Sequence, residues 1–165
     1  MIPTPSDSHH LDSCLIIEIL LKTNGKCRLR CEKYIYDLVS FNGQPILALS
    51  AIGEIITSIY QKVLDIKERE SALSGLLHLF DKFNFDFCSL DYEALEIIKE
   101  LKEIDPLLRP TDAQLIACTI QRKARSFATL EKRKFIQDSR LGDYIRSKSV
   151  NIIVISDEGI FYKKS

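Results

Sequence analysis

No stretch of the chain comes near the roughly 18 consecutive apolar residues that a membrane-crossing helix needs, so no such span is expected. The opening residues, MIPTPSDSHH, lack the basic-then-apolar order of a secretory leader, which makes the cytoplasm the expected location. No two cysteines stand at the two-residue spacing of a zinc knuckle. Cys27 and Cys31 fall four apart, on one face of a helix, but a zinc site there would need two more ligands, and the only histidines are His9, His10 and His78. Reduced, packed thiols are the expectation for these two and for Cys14, Cys88 and Cys118. Net charge is also lacking, because 23 basic and 23 acidic residues cancel, so whole-chain charge offers no argument for nucleic-acid binding. Repeats, low-complexity tracts and linkers are absent, which suits a single domain over residues 1–165.

What is present is the composition of a globular chain, with 45% apolar residues available for a core. Short apolar runs alternate with helical patterns. A strand is predicted over His9–Asp12, followed by a helix in SCLIIEILLK that stops at Asn24 and Gly25. PILALS, bounded by Pro45, suits a buried strand, and AIGEIITSIYQKVL follows at once. In it Ile52, Ile55, Ile56, Ile59, Tyr60 and Val63 form one helical stripe. FDFCSLD, RSFATLE and VNIIVIS are further strands, with helices over 66–82, YEALEIIKELKE and PTDAQLIACTIQRKA between them, the last capped by Thr111. This alternation predicts a three-layer α/β/α domain around a mainly parallel sheet of four or five strands, followed by a polar tail.

Such sheets form their sites outside the carboxyl ends of the strands. Four acids have that placement: Asp12 ends the first strand, Glu54 lies in the first helical turn after PILALS, Asp112 opens a helix and Glu131 ends the strand SFATL. Each has an ordinary structural alternative, as a helix cap, a dipole partner or a surface charge. Gathered in one cleft they would repel one another, and a hard divalent cation such as Mg2+ or Mn2+ removes that penalty. Carboxylates around such an ion suit phosphodiester hydrolysis. Ser13 and Thr129 stand beside two of the acids and have hydroxyls that can orient a carboxylate or a water.

The ordered set LDSCLIIEILL, ILALSAIGEI, TDAQLIACTI and FATLE resembles the PIN domain, the fold of many VapC-type toxin ribonucleases. The resemblance spans nearly the whole chain. It implies a metal-dependent endoribonuclease acting on single-stranded RNA, without a covalent intermediate. Catalysis would fall to Asp12, Glu54, Asp112 and Glu131, with Asp12, Asp112 and Glu131 as metal ligands. It also implies a homodimer and a small antitoxin partner. Glu131 stands where the family usually has Asp, and Arg133 and Lys134 occupy the stretch where a further acid often follows. SHHL replaces the usual apolar first strand.

Charge distribution adds a partner. RKARSFATLEKRK carries six basic residues, Arg122, Lys123, Arg125, Lys132, Arg133 and Lys134, around the single acid Glu131. Lining the cleft, they would bind RNA phosphates, and as a solvated helix face they would bind nothing. The rival reading is a PIN-fold module that holds RNA or protein without cutting. A receiver-like signalling domain fits less well, because NIIVISDEG offers no lysine before Asp157.

Overall fold

The computed structural model describes residues 7–21, 25–131 and 139–163. In chain order the elements are β1 (Ser8–Leu11), α1 (Ser13–Leu21), α2 (Lys26–Ser40), β2 (Gln44–Ala48), α3 (Leu49–Lys62), α4 (Ile66–Phe83) and β3 (Asp86–Cys88). They continue with α5 (Tyr92–Ile104), α6 (Pro110–Gln121), β4 (Ser126–Thr129), α7 (Ser139–Ser147), β5 (Asn151–Ile155) and β6 (Ile160–Lys163). The strands form one sheet in the order β3-β2-β1-β4-β5-β6. All neighbours pair in parallel except β5 and β6, an antiparallel hairpin. The sheet with its helices is the expected three-layer α/β arrangement, with one strand more than predicted. The extra strand is β6, which lies in the stretch read as a polar tail. Its Ile160 and Phe161 pair with Ile155 and Val154, and that pairing overrides the polar ending.

From β1 the chain steps outward to β2 and β3, then returns to the other side of β1 for β4 and β5. Right-handed crossovers on the two sides of β1 place their helices on opposite faces and leave a crevice between the carboxyl ends of β1 and β4. That crevice is a topological switch point, where this class of sheet binds ligands. The core runs beneath it through Leu11, Leu15, Ile16, Leu47, Ile55, Ile59, Leu115, Ile116 and Phe127, each at most 2% exposed.

Local chemistry explains the element ends. Asp65 caps α4 by accepting the Glu68 amide, Asp91 caps α5 through the Ala94 amide, and Asn84 ends α4 in the left-handed region at φ 46°. Gly43 is required at the α2–β2 turn, because a Cβ there would lie 2.9 Å from the Leu38 carbonyl. The cap of α6 is Arg109, not Thr111. Pro110 takes the first helical position, which holds Arg109 extended and moves Thr111 one residue inside.

The stripe read on α3 is wider than its buried face. Ile55 and Ile59 are fully buried, whereas Ile56 is 39% and Tyr60 51% exposed. His10, in the unusually polar first strand, is completely buried at the centre of the sheet. All five cysteines are free thiols.

Candidate active site

Asp12 is the first residue beyond β1, and its amide donates to the Ala128 carbonyl of β4 at 2.9 Å, so it sits at the switch point. Its side chain is 7% exposed. Oδ2 accepts a 2.7 Å hydrogen bond from the Thr129 hydroxyl, at the end of β4. Oδ1 faces the Ser13 hydroxyl at 3.3 Å and the Cys14 amide at 3.4 Å. Burial raises the Asp12 pKa above the usual carboxylate value, hydrogen bonds from Thr129 and Cys14 partly offset this, and the charge of Asp112 raises it further. The charge of Asp112 thus reaches Asp12, although the two are 100 positions apart in the chain.

Two hydroxyls tie the outer acids to this centre. Ser13 Oγ donates to Glu54 Oε2 at 2.7 Å, which places α3 against the start of α1. Thr129 Oγ1, which donates to Asp12, accepts the Glu131 amide at 3.1 Å and so fixes the chain where it leaves β4. Ser13 thus bonds the Glu54 carboxylate and Thr129 the Asp12 carboxylate. Glu54 lies in the second turn of α3, not the first, because the helix begins within PILALS at Leu49. Glu131 lies two residues past β4.

Sequence reasoning missed two members of the site. Cys14 lies against Asp12 and Thr129, and burial followed by the Asp12 charge keeps its thiol well above the ordinary pKa, so it stays protonated. Arg109 grips both oxygens of Asp112, with Nε to Oδ2 and Nη2 to Oδ1 each at 3.0 Å, and its Nη2 reaches Glu131 Oε1 at 3.5 Å. Hydrogen bonding and the charge of Asp112, then the charges of Glu131 and Glu54, stabilise its cation. The signal available in sequence was RPTD, which puts an arginine where a cap residue normally stands, three positions before the acid.

Three of the six residues of the basic cluster are described. Arg122, Lys123 and Arg125 do not join the acids. They lie in the turn between α6 and β4, at the amino edge of the sheet. The ten residues from Asp112 to Arg122 carry the helix about 15 Å away from the site. There Arg122 pairs with Asp86 at the start of β3, and Arg125 pairs with Asp7 just before β1. Lys132, Arg133 and Lys134 lie outside the described residues.

An all-oxygen donor set suits Mg2+ or Mn2+. Among the described residues no three carboxylates, histidines or thiols stand close enough to enclose a metal. A hydrated Mg2+ does not need such a cage, since one or two carboxylates and several waters hold it. Asp12 and Asp112, whose mutual repulsion a cation would relieve, fit that kind of site.

No protein-family model and no curated protein matches the chain. Solved structures do match. One is the crystal structure of VapBC2 from Rickettsia felis bound to a DNA fragment from its promoter, at a TM-score of 0.62 and 12% identity, covering 79% of this chain and 92% of that one. Another is FitAcB from Neisseria gonorrhoeae, at a TM-score of 0.59 and 14% identity, covering 75% and 88%. At these identities the likeness lies in the fold alone.

Proposed function

We propose that the protein is a metal-dependent endoribonuclease that cuts single-stranded RNA, acting as the toxin of a toxin–antitoxin pair. One observation carries this reading. Four acids from separate segments line the carboxyl edge of the sheet around its switch point, two of them linked to it by the hydroxyls of Ser13 and Thr129. Asp12 and Asp112 would hold Mg2+ or Mn2+ together with several waters, and Glu131, expected from the resemblance as a third ligand, would act through a bound water instead, because no three carboxylates of the described residues stand close enough to share an ion. When bound, the ion would supply charge neutralisation at the scissile phosphate. Glu54, held by Ser13, would orient the attacking water. Thr129 would keep one lone pair of Asp12 occupied, so that the carboxylate presents a single defined edge. Lys132, Arg133 and Lys134 follow Glu131 directly in sequence and would meet the RNA backbone.

Two partners belong to the same reading. A groove of about 980 Å³ runs between α1, α2 and α4, with apolar walls from Leu20, Leu29 and Phe83 and a charged rim from Arg28, Glu32 and Lys33. An amphipathic segment of a small antitoxin would fit this surface, and a second copy of the chain would cover the exposed Ile56 and Tyr60 on α3. The deciding experiment is cleavage of single-stranded RNA with Mn2+ by the wild type and by Asp12→Asn. The expected outcome is cleavage by the wild type alone, and equal rates would overturn the role of Asp12. One feature favours the rival reading of a module that binds without cutting: a guanidinium already occupies Asp112. Mn2+ binding by the wild type without RNA cleavage would select that reading.

A further inference from the structure

Arg109 is an odd residue for its place. The cap of a helix favours a hydrogen-bond acceptor, and a positive charge there opposes the helix dipole. Arg109 makes no side-chain cap bond, and only its backbone carbonyl serves α6, through the Ala113 amide at 3.0 Å. The side chain is spent instead on the acids, with a two-pronged grip on Asp112 and a longer contact to Glu131. It is also 64% exposed, whereas Asp112 is 10% exposed, so packing fixes the carboxylate and leaves the guanidinium room to move.

Both Asp112 oxygens that face Arg109 are those a hard cation would use. Arginine and metal therefore compete for one carboxylate. A guanidinium released from Asp112 stays tethered beside the site by its own helix start, with its planar fork of donors open. Such a fork pairs bidentately with phosphate as it does with carboxylate. Given the metal-dependent ribonuclease proposed above, we infer that Arg109 is an exchangeable counter-ion: it neutralises Asp112 in the metal-free protein, yields that carboxylate to the arriving divalent cation, and then grips a phosphate of the bound RNA. The same side chain thus keeps the acids together before loading and contacts substrate after it.

The test compares the wild type with Arg109→Gln and Arg109→Lys. Mn2+ binding is measured by calorimetry without RNA, and kcat and KM are then measured separately on a short single-stranded RNA. An exposed ion pair is a modest competitor, so removing it should tighten Mn2+ binding about two- to fivefold in Arg109→Gln. The same variant should show a raised KM, with kcat changed less. Arg109→Lys keeps the charge without the fork and should lie between the two in both measurements. Equal or weaker Mn2+ binding by Arg109→Gln would overturn the exchange at Asp112, and an unchanged KM would overturn the phosphate contact. Tighter Mn2+ binding without RNA cleavage by any of the three proteins would sink the ribonuclease reading and leave the exchange standing. Failure of every protein to bind Mn2+ would overturn both.

Discussion

His10 should make the protein acid-sensitive well above the range where carboxylates titrate. It lies on β1 two residues before Asp12, and its Nδ1 stands 2.5 Å from the Thr119 hydroxyl on α6, the helix that carries Asp112. Thr119 has one hydroxyl hydrogen and donates it to the Leu115 carbonyl at 2.8 Å. Nδ1 of His10 must therefore be the donor, and Nε2 carries the bare lone pair. Nε2 is buried without a hydrogen-bond partner, so a proton added there would find no acceptor. Burial, then the charge of Arg122, pushes the His10 pKa from 6.5 down to about 3.

The unfolded chain thus binds the proton first. Stability is fully present above pH 6.5 and is lost as pH falls toward the folded value. Each pH unit in that window costs about 1.4 kcal/mol, so lowering the pH from 7 to 5 should remove about 2 kcal/mol through His10 alone. For a chain of this size that is a melting-point loss of about 4–8 °C. His9, pushed down to about 4 by burial and then by Arg125, adds a loss of the same sign, so the measurement must isolate His10. His10→Asn keeps a short amide that can donate to Thr119 and does not titrate, and any cavity it leaves costs the same at every pH. Thermal melts of both proteins from pH 7.5 to 5 should converge by about 2 kcal/mol as the wild type loses its advantage. Parallel curves would refute the buried neutral imidazole. Because His10 and Thr119 bridge β1 to α6, the same titration should loosen the spacing of Asp12 and Asp112.

Thr129→Val preserves shape and removes the 2.7 Å bond to Asp12, which should cost about 1.5–3 kcal/mol and lower the melting point at pH 7 by about 3–12 °C; an unchanged melt would show that this hydroxyl does not support the carboxylate. Asp12→Asn removes a buried charge that faces Asp112, so the variant should melt higher than the wild type without metal and gain nothing from Mn2+; an equal Mn2+ response in both proteins would remove Asp12 from the metal site. Light scattering at tens of micromolar should find a dimer, and Ile56→Glu combined with Tyr60→Glu should return it to a monomer; a monomeric wild type would remove the role assigned to the exposed face of α3.

The strands and helices were legible because apolar periodicity reports burial directly. PILALS and VNIIVIS are short apolar runs and became β2 and β5, interior strands of the sheet. The positions of Asp12 and Glu131 were legible for a related reason, since a residue just past the end of a parallel strand has its position set by the strand itself. The face of α3 was not legible, because period alone cannot say how wide a stripe the neighbours will cover. The placement of Arg122, Lys123 and Arg125 away from the acids was hidden for a geometric reason. Arg125 and Glu131 are six apart in sequence but flank opposite ends of β4, and a strand separates its two ends in space more than a loop or helix would. Arg109 was hidden because an arginine three residues before an acid at a helix start reads as an ordinary local ion pair, and its contact with Glu131 arises only on folding.

The same protein contains its own control for the question that Asp12 raises, whether it is simply a helix cap. Asp65 and Asp91 show what this chain does with a capping aspartate. Both are exposed, and each accepts the amide three residues on, at 2.9 and 3.1 Å. Asp12 precedes α1 in the same way but is used differently. It is buried, its contact with the backbone ahead is 3.4 Å and reaches only two residues on, and its shortest bond runs across the sheet to Thr129. An exposed serine or asparagine would cap α1 at less cost than a buried carboxylate facing a second acid. The placement is costly for a cap and economical for a cation site, because the neighbours that make the charge expensive are the ones that would share an ion with it. Arg109 fits the same logic, since an acidic crevice that was only a byproduct of helix capping would have no need of a guanidinium at a cap position bonded to both Asp112 and Glu131.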